Sequence, residues 1–212
     1  MLSSTGFDLW AGGYDRAVGL SDEENTYPFA GYREVLARIA RTVMEKDHPA
    51  VLDLGFGTAT LTSKLYEQGC RIYGQDFSGK MLETARAKMP EAELVLGDLT
   101  EGLAANLKHH RYDFIISTYA MHHLTDEQKI AFLSDLRSYL LPGGQILIGD
   151  VAFESRSEMD ACRQTAGEEW DDEEIYLVAE DMRKAFPDLT FRKVTFCAGI
   201  LCITSKEQEG IV

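Results

Sequence analysis

The stretch AVLDLGFGTATLTSKL, Ala50–Leu65, constrains the fold of this chain more than any other. A continuous apolar run ends at Asp53, glycines follow at Gly55 and Gly57, and Leu61 and Leu65 then stand four apart, the spacing of one helix face. An unbroken apolar strand is one buried on both faces, as in a parallel sheet. Glycines between such a strand and a helix let the backbone approach a ligand closely, and the first helical turn offers it N–H groups. The stretch predicts a strand over Ala50–Gly55, a nucleotide-holding loop, and a helix over Thr58–Gln68 closed by Gly69.

The same alternation continues downstream. Arg71–Asp76 (RIYGQD) and Ala92–Asp98 (AELVLGD) read as strands two and three, with a helix from Gly79 to Met89 between them that stops at Pro90. Tyr112–Ala120 is strand four, built on Phe-Ile-Ile, and Gln145–Phe153 is strand five. Between these two, Thr125 and Gln128 form a capping box, Ile130, Phe132, Leu133, Leu136 and Leu140 supply an apolar stripe, and Leu141–Gly144 (LPGG) ends the helix. A polar, acidic, helical region is expected after strand five, from Phe153 to about Phe186, and Thr190–Lys206 reads as an antiparallel hairpin turning at Ala198-Gly199.

Alternating strands and helices imply a doubly wound α/β fold, with a mostly parallel sheet of seven strands and a C-terminal antiparallel hairpin. The 212 residues, 45% of them hydrophobic, suit a single domain, 1–212, in which 1–48 form a helical cap or lid and 49–212 the core. The formal net charge of -14 makes a poor match for DNA, RNA or an anionic membrane surface, whose phosphates attract basic proteins. Cys70, Cys162, Cys197 and Cys202 include no C-x-x-C pair, so they read as structural thiols of a reduced compartment. The stretch MLSSTGFDLWAGG lacks the basic and apolar regions of a signal peptide, and no window reaches the ~18 apolar residues of a membrane span; a cytoplasmic location is expected.

In open α/β sheets the ligand lies outside the carboxyl ends of the strands, so the residues ending each strand carry the chemistry. Strand one ends at Asp53 and the glycine loop, strand two at Asp76, and strand three at Asp98. Asp76 stands 21 residues beyond Gly55, the spacing of a carboxylate that accepts from a ribose diol. Asp98 is placed to accept from an adenine amino group. Asp53 either faces a bound amino group or braces the loop. A dinucleotide fingerprint requires a small residue three beyond the second glycine, where this chain has Thr60, and so many carboxylates suit a zwitterionic or cationic ligand better than a pyrophosphate.

In these features the chain resembles the class I S-adenosylmethionine-dependent methyltransferases. VLDLGFGTATLT is similar to their first motif, D-x-G-x-G-x-G, with Ala59 in place of the last glycine. IYGQDFSGKML resembles the second, which implies that Asp76 and Phe77 meet the ribose and its surroundings; VLGDL resembles the third, placing Asp98 and Leu99 at adenine. YDFIISTYAMHHL resembles the fourth and adds Ser117 to the cofactor-binding set. The opening FDLWAGGYD is similar to a subgroup of small bacterial methyltransferases in which this segment lies over the cofactor; Trp10 and Tyr14 are then cofactor contacts, or else plain helix packing.

The resemblance implies a Rossmann-like methyltransferase that passes a methyl group from S-adenosyl-L-methionine to a small-molecule acceptor, leaving S-adenosyl-L-homocysteine. Strand four lacks the D/N-P-P-Y/F of amino-methylating nucleic-acid enzymes, having Ser117-Thr118-Tyr119-Ala120. His122 and His123 follow strand four near the expected methyl position, and are the catalytic candidates: one caps or packs against the next helix while the other faces the site as a base. With no carboxylate or Cys at ligand spacing around them, no metal is expected. The acidic run Glu168–Glu174 reads as a solvated helix face, in a region where such enzymes place substrate-selecting elements. The competing readings are an NAD(P)-dependent oxidoreductase and a non-catalytic S-adenosyl ligand-binding protein.

Overall fold

The computed structural model of the protein describes residues 25–205. The first element is helix α1, Tyr32–Val43, whose Val35, Leu36, Ile39 and Val43 are buried on the face toward the sheet. The core then alternates β1 (Ala50–Leu54), α2 (Thr62–Glu67), β2 (Arg71–Asp76), α3 (Gly79–Lys88), β3 (Glu93–Leu96), β4 (Tyr112–Thr118), α4 (Asp126–Leu136) and β5 (Leu140–Phe153). Helix α5 (Arg156–Ala166), the short β6 (Leu177–Val178) and α6 (Ala179–Met182) lead to β7 (Thr190–Lys193) and β8 (Ala198–Thr204).

Seven strands lie side by side in the order β3-β2-β1-β4-β5-β8-β7, and β6 pairs with β5 off that path. Strands β1 to β5 run parallel, while β8 is antiparallel to both β5 and β7. β1 is buried at every residue, as its unbroken apolar run requires. Helices on the two faces enclose two apolar clusters, one containing Val51, Ile116, Val35 and Ile39, the other Leu52, Ile115, Phe132 and Leu136. Because β1 is followed by β2 on one side and β4 lies on the other, the strand order reverses at β1/β4, and the crevice opens at their carboxyl ends.

The capping box at α4 is present in full: the Thr125 hydroxyl accepts from Gln128 N and the Gln128 side chain accepts from Thr125 N. Several boundaries differ from the sequence reading. Helix α2 begins only at Thr62, because the loop extends through Ala59, whose φ of 59° is left-handed and not helical. Helix α4 stops at Leu136, and Leu140 already pairs with Tyr112, so LPGG is an irregularity inside a long β5 and not a helix terminator. The region before Phe186 is not wholly helical: it contains β6, and Asp171–Ile175 is irregular. The hairpin turns at Val194–Cys197, where Thr195 N and Val194 N donate to Ala198 O and the Thr195 hydroxyl accepts from Ala198 N. Ala198 and Gly199 instead sit in β8, opposite Val151 and Asp150.

Candidate functional site

A cavity lies at the β1/β4 crevice, walled by Asp53, Gly55 and Gly57 from the glycine loop, Asp76 and Phe77 from the end of β2, and Asp98 and Leu99 after β3. Thr118, Tyr119 and Ala120 at the end of β4, with His123 and Leu124, close the other side. Eight of the twelve residues singled out from the sequence thus share the cavity wall, His123 among them. Ser117 does not reach it: its buried hydroxyl donates to Leu54 O at 2.8 Å and ties β4 to β1. His122 also lies off the wall, and Trp10 and Tyr14 fall outside the described residues.

The loop is shaped by backbone that few side chains tolerate. Gly55 and Gly57 have φ of 75° and 51°, and a Cβ added at Gly55 would stand 2.4 Å from the Ala120 Cβ. Ala59 is buried at φ 59° and Tyr119, on the opposite wall, has φ 52°. Each left-handed non-glycine residue costs about 1–2 kcal/mol, and such strain concentrates at ligand clamps. Ala59→Gly is therefore expected to stabilise the protein. The relief, less the chain entropy that glycine adds to the unfolded state, leaves a gain of up to about 1 kcal/mol and a Tm higher by roughly 1–4 °C in a calorimetric scan. A lower Tm would show that the loop is unstrained.

Asp76 is 4% exposed and receives Gly57 N on one oxygen at 2.8 Å and Ser78 N on the other at 2.9 Å. It joins the glycine loop to the start of α3 and presents the same carboxylate to the cavity. Asp98 is exposed and accepts from the Thr100 N–H and hydroxyl, both at 2.8 Å. The segment behind it is pinned by Gln75, whose amide donates to Gly102 O at 2.9 Å and accepts from Ala104 N at 2.8 Å. Gln75 was not singled out from the sequence; an amide inside an otherwise apolar strand end is the signal that points to it.

Asp53 is 1% exposed. One oxygen accepts from the Thr62 hydroxyl, while Oδ1 has no hydrogen-bond partner among the described residues. Burial, with the nearby charge of Asp76, raises its pKa to about 7 against the bond from Thr62. An ionisable oxygen held without a donor at a cavity wall is a site prepared for a cation or an N–H group.

At the edge of the wall, the 3-10 turn Met121–His123 carries the two histidines. His122 is buried with Nδ1 2.7 Å from Asp150 Oδ1 and Nε2 3.5 Å from Glu174 Oε1. Burial disfavours its charged form, but the two carboxylates outweigh that and its pKa lies above the ordinary value. His123 is half-buried, and desolvation together with His122 pushes its pKa down to about 4. The expectation that no carboxylate surrounds this pair is thus corrected: Asp150 comes from β5 and Glu174 from the acidic run, both distant in sequence. Nor is that run a helix face. Glu174 turns inward, and Trp170 stacks on Tyr27 with ring centroids 5.3 Å apart.

The sheet order, the antiparallel β8 beside β5 and a cleft at the carboxyl ends of β1 and β4 define a Rossmann-like α/β domain of the methyltransferase type. The methyltransferase-domain family matches residues 51–144. An uncharacterized methyltransferase of Anoxybacillus flavithermus is 35% identical over 183 residues, covering 86% of this chain and 76% of the relative. Another, from Oceanobacillus iheyensis, is 31% identical, with 87% of each chain covered. The chain belongs to the methyltransferase family. Among solved structures, magnesium protoporphyrin IX methyltransferase from Synechocystis, crystallised with S-adenosylhomocysteine (SAH), superposes with a TM-score of 0.64 at 20% identity, over 83% of this chain and 84% of that one. The DhpI–SAH complex gives 0.69 at 17% identity, over 94% and 93%.

Proposed function

We propose that this protein is a class I methyltransferase that uses S-adenosyl-L-methionine to methylate a small-molecule acceptor. The observation that carries the reading is the convergence of Asp53, Asp76 and Asp98 on one cavity behind a glycine loop, with Asp53 Oδ1 buried and without a hydrogen-bond partner among the described residues. Three acidic strand ends suit a ligand with a ribose diol, an adenine amino group and a cationic end, and they repel a pyrophosphate. In this reading Asp76 holds the ribose hydroxyls, Asp98 and Leu99 the adenine, and Asp53 the methionyl ammonium. Gly55 and Gly57 let the backbone close on the ligand, and Tyr119 and Phe77 exclude water from it.

When bound, S-adenosylmethionine supplies a methyl group on a sulfonium leaving group. What remains for the protein is alignment and desolvation, which supply most of the acceleration in such a displacement. A small acceptor is supported by the charge of -14, which disfavours nucleic acid, and by the magnesium porphyrin named for one structural neighbour. A second neighbour is a Haloferax volcanii putative methyltransferase solved with a Trm112 activator, so a protein partner is an alternative to test. Among the described residues no helix is long and apolar enough to cross a membrane, and a cytoplasmic site of action is proposed with the small substrate.

A thermal-shift titration with S-adenosylmethionine, SAH and NAD tests the reading. Because Asp53 titrates near 7 when folded, the folded chain keeps a proton that the unfolded chain loses from about pH 4, so its contribution to ligand-free stability falls as pH rises toward 7. A cationic ligand removes that penalty. The Tm shift given by S-adenosylmethionine is therefore expected to be larger at about pH 8 than at about pH 6. Stabilisation by NAD alone overturns the assignment.

A further inference from the structure

The methyl-transfer reading leaves His122, His123, Glu174 and Asp150 without a part in holding the ligand. They nevertheless form a converged set. The imidazole ring centroids of His122 and His123 lie 4.2 Å apart with the ring planes at 66°, and one nitrogen of each is within reach of a common position. Glu174 is delivered to the same point by two bonds that fix its segment: Ile175 N donates to His122 O at 2.8 Å, and the fully buried Lys129 donates from Nζ to Ile175 O at 2.6 Å. One nitrogen from each ring and one Glu174 oxygen all lie within 4.8 Å of one another.

The surroundings match those of a metal ligand set. His122 Nδ1 is bonded to Asp150 Oδ1 at 2.7 Å, which fixes the ring and leaves Nε2, the nitrogen facing Glu174, as the donor to an ion. A carboxylate behind a histidine is the usual support of a metal-bound imidazole. Asp150 is itself wholly buried and held by Val151 N at 2.8 Å and Met121 N at 3.1 Å. Two imidazoles and one carboxylate form a set that suits zinc and its neighbours and leaves a coordination position for another ligand. Donors around a tetrahedral zinc with bonds of about 2.0–2.2 Å stand roughly 3.3–3.6 Å apart; His122 Nε2 and Glu174 Oε1 are already at 3.5 Å, and the set closes with a shift of up to about 1 Å at the half-buried His123.

We infer that His122, His123 and Glu174 form a binding site for a divalent transition-metal ion, with Asp150 positioning His122. Since His123 is also part of the cavity wall, the ion adjoins the proposed acceptor side of the cleft.

The test is a calorimetric Zn2+ titration of the tag-free full-length chain, with the visible spectrum of the Co2+ form as a second readout. One ion per chain is expected, with tetrahedral or five-coordinate Co2+ bands. His123→Ala and Glu174→Ala should each abolish the isotherm and the bands. Asp150→Asn, which keeps all three ligands, should weaken binding about 10- to 100-fold. His48→Ala and His110→Ala, which alter the surface pairs with Asp47 and Glu93, should leave it unchanged. No saturable binding by the wild-type chain overturns the site, as does undiminished binding in both His123→Ala and Glu174→Ala. So does binding lost with His48 or His110. None of these measurements requires methyl transfer, so failure of the S-adenosylmethionine titration would leave the metal site standing, and the converse.

Discussion

Asp76→Ala is expected to weaken SAH binding about 100-fold, measured by isothermal titration calorimetry. A hydrogen bond to a charged group contributes about 1.5–3 kcal/mol, so a carboxylate bound to two ribose hydroxyls accounts for about 3 kcal/mol, or two orders of magnitude in Kd. The substitution also releases Gly57 N and Ser78 N, which Asp76 holds at 2.8 and 2.9 Å, so part of the loss passes through a loosened glycine loop. Asp76→Asn separates the two effects: its amide keeps one acceptor oxygen but presents a donor on the other side, and should fall between alanine and wild type. A Kd within a few-fold of wild type for the alanine variant, with the fold intact by circular dichroism, would refute the ribose assignment.

Gly55→Ala should be the most damaging single methyl group in the chain's cofactor loop. It imposes a side chain on a left-handed φ of 75° and drives its Cβ to 2.4 Å from the Ala120 Cβ. The backbone term of about 1–2 kcal/mol and the overpacking term of about 1–3 kcal/mol together give about 3 kcal/mol, which lowers Tm by roughly 6–12 °C in a chain of this size. Gly57→Ala is the matched control. Its φ of 51° carries the backbone term, but among the described residues no atom lies within 4 Å of the added Cβ. It should therefore lose only about 1–2 kcal/mol. Equal losses for the two variants would mean that β4's end does not close on the loop as described.

Much of the fold and of the cavity was legible without coordinates. β1, β2 and β4 begin where their apolar runs begin, and the capping box set the start of α4, because period and caps are properties of a few neighbouring residues. Once the strands were placed, the parallel topology put their ends together, and that alone brought Asp53, Asp76 and Asp98 to one cavity. The hairpin turn was misplaced because Ala198-Gly199 looks like turn chemistry, whereas the bonds that make the turn come from the Thr195 hydroxyl and backbone. Ser117 was named by its place at a strand end, but the strand's alternation turns its side chain toward Leu54 and away from the cleft.

By itself, then, the sequence determined the strand–glycine loop–helix unit, the alternation that makes the sheet parallel and the acidic residues that end its strands, all of which follow from local periodicity and chain order. Only the tertiary structure decided what meets across long separations. Gln75 pins the Asp98 segment, Asp150 holds His122, and Lys129 draws in the segment that carries Glu174. It also decided that Ala59 and Tyr119 sit at left-handed φ, a conformation that neither residue prefers. These depend on packing between elements tens of residues apart, where the energy of burial and closure overrides the preference of any short stretch.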